Sequence, residues 1–327
     1  MSLHQTTTKE TASYLAALLA KNVEPLWTVM SAMVPPAPNP KATVASWKYE
    51  EIRPLLLEAG RLVSDKEAER RVLMLVNPSM KAPYTTDTIY AGLQLILPGE
   101  TAPAHRHTAF ALRFIIEGQR GFTAVGGKKV VMRRGDVILT PSWQWHDHGH
   151  EGDGPMIWLD GLDLPLYQAF PVNFAELYKE NRYPSEYVSG DGDLRFGWDE
   201  VQKILDSKEG THAVYYYGVG LGGARKPLSL TMGGQAERVD AGTRSIPIRE
   251  SCSFVYHCFE GKGRSELTRA NGETEVVEWA KGDTFAVPAW TERVHCADQN
   301  GRSYLFAVND EPLLKNLGMY RREGEPV

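Results

Sequence analysis

Two pairs of matched anchors, in the same order and at nearly the same spacing, restrict this chain more than any other feature. Arg113-Phe114-Ile115-Ile116-Glu117-Gly118 is echoed by Tyr256-His257-Cys258-Phe259-Glu260-Gly261. Likewise Gly135-Asp136-Val137-Ile138-Leu139-Thr140-Pro141-Ser142-Trp143 is echoed by Gly282-Asp283-Thr284-Phe285-Ala286-Val287-Pro288-Ala289-Trp290. Chance similarity between two Gly-Asp turns would not preserve both order and spacing, so the chain carries a duplicated domain. Around the anchors, short β-rich runs alternate with Gly, Pro, Asn and Asp turns from Thr88 to Asp160 and again from about Leu228 to Asp310. Gly126-Gly127 falls where a tight hairpin would turn.

The remaining segments read differently. The first seventy or so residues are expected to be helical: Tyr14, Leu15, Leu18 and Leu19 form an apolar stripe, and Ser64 with Glu67 makes a capping box. Pro35-Pro36-Ala37-Pro38 is a stiff connector. Residues 170–181 look helical, and 182–210 read as a mixed linker rich in Gly, Asp and Ser. The expected division is a helical region over 1–75, a β domain over 76–165, a helix and linker over 166–227, a second β domain over 228–310 and a tail over 311–327.

Composition narrows the class. Apolar residues make up 42% and charged residues 24%, which suits a soluble globular chain. Thirty-six basic against 41 acidic residues, with no Lys/Arg-rich run, argues against nucleic acid as a partner. No apolar stretch is long enough to span a bilayer, and Met1 to Ala20 does not read as a secretory signal. Cys252, Cys258 and Cys296 are odd in number and lack CxxC spacing, so free thiols in a reducing cytoplasm are expected.

The chemistry concentrates in the first β block. In Gly99-Glu100-Thr101-Ala102-Pro103-Ala104-His105-Arg106-His107, two histidines stand two residues apart. On a strand they face one side, so both imidazoles converge on one point. Gly135, Pro141 and then His146 follow. Together these resemble the two motifs of the cupins, small double-sheet jelly rolls whose interior holds a metal. The resemblance covers both β blocks and implies a mainly β bicupin with N-terminal helices. One departure is informative: where the usual cupin supplies a glutamate after HxH, this chain has Ala111. The ligand set is then three neutral imidazoles, His105, His107 and His146, which suits both iron and catalytic zinc.

The surroundings of the histidines resemble gentisate 1,2-dioxygenase. The matching stretches are Ala104 to Phe114, Pro141 to Gly149, Tyr90-Ala91-Gly92-Leu93-Gln94 and Pro54-Leu55-Leu56-Leu57. That resemblance implies Fe(II) in the first cupin, a small aromatic hydroxy acid and O2 as reactants, and a homotetramer. It also implies cleavage between the carboxyl- and hydroxyl-bearing ring carbons; for gentisate the product is maleylpyruvate. Relatives cleaving salicylate or 1-hydroxy-2-naphthoate are the alternative, followed by a non-catalytic cupin that binds a small acid.

Residues near the motif take roles consistent with this chemistry. Arg113 shares a strand face with Ala111 and Ile115, where its fork would pair with a substrate carboxylate or a reduced oxygen species; the alternative is a structural ion pair with a barrel carboxylate. Gln94 shares a face with Tyr90 and Gly92 and would bond a substrate oxygen, unless backbone groups satisfy it. His148, on the face of His146, would relay a proton, with Asp160 orienting its imidazole; the competing readings are a surface histidine and a turn aspartate. His150 is expected to be structural. Gly92, lacking a Cβ, would leave room for other rings, and Arg70 or Arg71 matches a further family position. Sliding the anchors puts Ile248, Glu250 and Arg293 at the three ligand positions of the second cupin, with His295 opposite His148. An aliphatic group and a guanidinium cannot ligate a metal, so that barrel is expected to be empty. Its cysteines, with His257, are expected to pack in its core.

Overall fold

The two β-rich blocks fold into two barrels with the same strand order. The computed structural model describes residues 8–188, 193–219 and 226–324. One sheet of the first barrel runs Arg195–Phe196, Val137–Thr140, Ala111–Glu117, Met156–Leu162, Tyr90–Ile96, Arg71–Met74. Facing it are Ala175–Leu177, Thr101–His107, His146–His150, Gly121–Val125, Lys128–Val131 and Glu186–Tyr187. The second barrel repeats the first sheet strand for strand: Ala45–Trp47, Thr284–Val287, Phe254–Glu260, Ser303–Asn309, Gly233–Val239, His212–Tyr216. A three-stranded sheet of Thr274–Ala280, Lys262–Thr268 and Glu292–Ala297 faces it.

The duplication reaches the backbone dihedrals. Gly118 and Gly261 have φ of 103° and 89°, Gly135 and Gly282 of 86° and 95°, and Trp143 and Trp290 of 63° and 59°. A bulky residue rarely adopts positive φ, so its recurrence at both tryptophans marks the same turn built twice. At Gly126-Gly127, φ of 55° and 85° gives the tight hairpin the sequence implies.

Each barrel borrows the segment that precedes the other. Ala45–Trp47 comes before the first barrel yet pairs with Thr284–Val287 of the second, while Arg195–Phe196 comes before the second and pairs with Val137–Thr140 of the first. A helix follows each borrowed strand. Its first residue donates a backbone N–H to the aspartate of the Gly-Asp turn: Tyr49 to Asp283 at 2.9 Å and Trp198 to Asp136 at 3.2 Å. Neither Lys48 nor Gly197 caps its own helix by side chain. The other barrel's carboxylate supplies the missing acceptor and complements the helix dipole. A Cβ on Gly135 or Gly282 would stand 2.7 Å from Trp198 or Tyr49, so both turns need glycine for space as well as for φ.

Because the barrels pack back to back, Leu112, Phe114 and Ile116 point away from the first barrel's interior and are still buried. Phe114 stacks on Phe306 with centroids 4.4 Å apart and meets Phe259 edge-on. Burying each such ring contributes about 1.5–3 kcal/mol. Both faces of Ala111–Glu117 are therefore apolar, apart from Arg113 and the terminal Glu117. A separate core of Tyr256, Phe285, Leu305, Cys252 and Cys258 fills the second barrel, as expected for those two thiols, whereas Cys296 is buried outside it and His257 faces Phe114 of the first barrel.

Two expectations need correction. Residues 170–181 are not helical: a short helix ends at Ala169, and Ala175–Leu177 adds a strand to the sheet, pairing with His105–His107. Pro171 removes a helical donor, and the open edge of the Thr101–His107 strand offers the backbone a partner instead. The stretch 182–210 is not only a linker, since it holds the helix Trp198–Ser207; its residues 189–192 lie outside the described ones. Helices Lys9–Leu19 and Leu26–Met33 belong to a compact unit ending at Asn39 and have no buried residue. Ser64 caps Asp65–Ala68 through the Glu67 N–H at 3.2 Å. Among the described residues no helix is long and apolar enough to cross a membrane.

Candidate metal centre

Strand periodicity places His105 and His107 on the inner face of Thr101–His107, and antiparallel pairing sets His146 directly opposite His105. The ligand-capable nitrogens of the three imidazoles all lie within 4.8 Å of one another, and the ring centroids are 4.1–5.0 Å apart. Two of the rings have Nδ1–H tied to a carbonyl two residues away: His107 donates to Ala109 O at 2.8 Å and His146 to Gln144 O at 2.9 Å. That fixes the tautomer of those two, leaves their Nε2 lone pairs for a metal and is the usual outer support of a histidine ligand. His105 Nδ1 is met instead by the Arg70 guanidinium. His146 Nε2 is buried with no protein partner, which an ion would provide. The residues present fit a metal held by three neutral imidazoles.

Burial and nearby charge keep these rings neutral. Desolvation, followed by the Arg70 charge, pushes His105 down to about 2. Desolvation pushes His107 down to about 4 and His146 well below its ordinary value. Neutral rings are the form that ligates.

Two guanidiniums stand beside them. Arg113 is 4% exposed, contacts Thr140 Oγ1 and lies opposite Asp160, with Nε 3.4 Å from Oδ1. That contact is an ion pair without hydrogen-bond alignment, and the Nε proton has no acceptor. The structural pairing is thus present, and it leaves donor capacity unused. Arg70 reaches the site too: its Nη2 donates to Pro103 O at 2.7 Å and touches the His105 ring. Arg71 does not, being held by Val63 O and Glu100. Burial first, then Arg113, pushes Arg70 down to about 10, while burial lifts Asp160 to about 6 against the pull of Arg113. Two cations against one carboxylate beside the cluster leave a place for an anion.

His148 is fully buried, 5.8 Å from His146 ring to ring, with its Nε2 unpartnered. Asp160 does not orient it, contrary to expectation. The strand register sets Asp160 opposite Arg113 and Gly92, and its Oδ1 accepts from Trp158 Nε1 at 3.0 Å. Thr123 Oγ1 holds His148 Nδ1 instead, at 2.9 Å. Gln94 is buried and opposite Trp158, on the face that also carries Tyr90 and Gly92. The space above Gly92 is filled: an added Cβ would lie 2.7 Å from Val72 and 2.8 Å from the Tyr90 hydroxyl. Its missing Cβ therefore accommodates neighbours of this chain, not a larger ring. His150 bonds Gly154 O at 2.8 Å and is structural, as expected. Thr123 and Thr140 went unnoticed from sequence. For Thr123 the signal was there, since Ser265 places a hydroxyl at the same strand position in the second repeat.

Comparison with known proteins agrees with this site. The cupin domain family model matches residues 92–162. Gentisate 1,2 dioxygenase 1 of Aquipseudomonas alcaligenes is 35% identical, covering 96% of each chain. A gentisate 1,2-dioxygenase of Streptomyces sp is 34% identical, covering 91% of this chain and 90% of the relative. The salicylate 1,2-dioxygenase of Pseudoaminobacter salicylatoxidans, in a crystal structure with gentisate, superposes with a TM-score of 0.88 at 29% identity, covering 99% of this chain and 97% of that one.

Proposed function

The chain belongs to the gentisate 1,2-dioxygenase family of cupin enzymes, and we propose that it opens gentisate with O2 to maleylpyruvate, breaking the ring between the carboxyl- and hydroxyl-bearing carbons and using Fe(II) held by His105, His107 and His146. The observation that carries this reading is the three-histidine cluster beside a surplus of buried positive charge. Bound there, the ion supplies a redox-active centre at which an electron-rich phenolate and dioxygen react.

This chain's residues supply charge, orientation and a proton acceptor. Arg113, with Arg70 behind it, attracts the substrate carboxylate into a site where a charge-assisted contact is strong because little water competes. Asp160 steadies Arg113 without neutralising both cations. His148 receives the proton of the substrate hydroxyl on Nε2. Thr123 Oγ1 turns its own proton toward Met132 Sδ, 3.4 Å away, so its lone pair holds the His148 Nδ1–H and leaves Nε2 free to accept. Gln94 bonds a substrate oxygen from the neighbouring strand.

Substrates related to salicylate form the second reading, favoured by the similarity to an enzyme named for salicylate that holds gentisate. Oxygen uptake by Fe(II)-loaded protein with gentisate, salicylate and 1-hydroxy-2-naphthoate tests both. Fastest turnover on gentisate supports the first reading, faster turnover on another acid replaces it, and no uptake on any acid removes the dioxygenase assignment.

We place the enzyme in the cytoplasm as a homotetramer. Three free thiols support the compartment. Exposed Trp27, Met33, Phe174 and Leu177 support burial against further copies. Light scattering on the purified protein measures the assembly directly.

A further inference from the structure

We propose that the second barrel is a binding site in its own right, taking a small hydroxy- or oxo-carboxylate whose neutral oxygen meets His295 and whose carboxylate faces a basic rim. A cavity of about 520 Å³ opens into this barrel, enough for a monocyclic ligand. Its floor occupies the positions that hold the metal ligands in the first barrel. Ile248 bridges Arg293 through the backbone as His105 pairs with His146.

The floor is a closed polar network with one opening. Arg293 Nε donates to Tyr256 Oη at 2.8 Å, and its Nη2 contacts Glu250. Glu237 accepts from Gln235 at 2.7 Å, Tyr256 at 2.9 Å and His212 at 2.7 Å. His295, 1% exposed and lining the cavity, has an Nε2 with no partner. Ser265 decides what that atom is. Its Oγ accepts from Trp279 Nε1 at 2.8 Å and lies 2.7 Å from His295 Nδ1. Among the described residues no other acceptor meets the buried Ser265 hydroxyl, so its proton points at Nδ1 and Nε2 carries the ring's hydrogen. A buried donor aimed into a cavity calls for an oxygen acceptor.

Charge sets the rest of the ligand. At the floor Glu237 and Glu250 oppose the single guanidinium of Arg293, which disfavours a further anion there, so the oxygen facing His295 is a hydroxyl or carbonyl. At the mouth Lys315 is paired with Glu311, and the exposed Lys226 is the cation that suits a carboxylate. Ile246, Ile248 and Pro312 give apolar walls between the two ends.

Calorimetric titration of the metal-loaded full-length protein with 3-hydroxybenzoate tests this, because its separated hydroxyl and carboxylate match the two ends. One equivalent per chain is expected to bind in the second barrel, besides any held by the first barrel's cations, and to persist in His146→Ala protein. Affinity should fall at least tenfold in His295→Leu and in Lys226→Glu, the latter at an exposed position where folding is not at stake. Phenol, without the carboxylate, should bind more weakly and ignore Lys226→Glu. Complete loss of binding in His146→Ala, or unchanged affinity in both second-barrel variants, would overturn the proposal. Equal affinity for phenol would overturn the carboxylate. None of these readouts depends on turnover, so the proposal stands or falls separately from the dioxygenase reading.

Discussion

The two barrels share a strand order and two anchor turns, yet their centres are built on opposite principles. Each keeps a buried histidine held by a hydroxyl, His148 by Thr123 and His295 by Ser265. In the first barrel three imidazoles converge, and His107 and His146 turn their Nδ1–H groups to backbone carbonyls and leave ligand atoms open. In the second the corresponding positions hold Ile248, Glu250 and Arg293, and the guanidinium is itself a cation at the barrel centre. Strand register extends the contrast: Gln94 corresponds to Glu237, and Arg113 to Tyr256. The second barrel thus differs by more than its ligand positions, since a network around Arg293 sets the charge at its centre.

The largest effect is expected from breaking that network. Burial alone would raise the Glu237 carboxyl, but the hydrogen bond from His212 and the charge of Arg293 hold it well below its ordinary value. A depressed carboxylate contributes stability above its unfolded-state value, near 4.5, and loses it as pH falls through the folded value. Glu237→Gln should therefore cost about 3–5 kcal/mol at pH 7. The gap from wild type should narrow as pH falls below about 4.5, where the unfolded chain binds a proton that the folded carboxylate does not. Denaturant melts at the two pH values check this, and an equal gap at both would show the pair to be unimportant.

Next in size is Arg113→Ala in the first barrel. It should retain metal and lose about 1.5–3 kcal/mol of transition-state stabilisation, roughly 10- to 150-fold in kcat/KM. Arg113→Lys should not rescue it, because the fork is lost. Normal turnover by Arg113→Ala would reduce this arginine to the Asp160 ion pair alone. His148→Ala is the milder test of the same barrel, with about 10–100-fold slower turnover and most of the metal kept. Wild-type rates across the pH profile would remove its role as proton acceptor.

Much of this contrast was legible in the sequence. The anchors predicted two like barrels, HxH with His146 predicted the cluster, and the sliding alignment put Ile248, Glu250 and Arg293 where the register has them. What sequence could not show depends on partners far along the chain. Asp160 was paired with His148 on strand proximity, but register gives it to Arg113. The helical look of 170–181 yielded to an open sheet edge, and the space over Gly92 was spoken for by Val72 and Tyr90. The exchange of Ala45–Trp47 and Arg195–Phe196 between barrels left no local pattern to read.

The central claim is a single metal centre in the first barrel, and elemental analysis after anaerobic loading with Fe(II) tests it most directly. One tightly held equivalent per chain is expected, absent in His105→Ala, His107→Ala and His146→Ala and unchanged in Arg293→Ala. Two equivalents per chain, or one that survives the loss of His146, would contradict it.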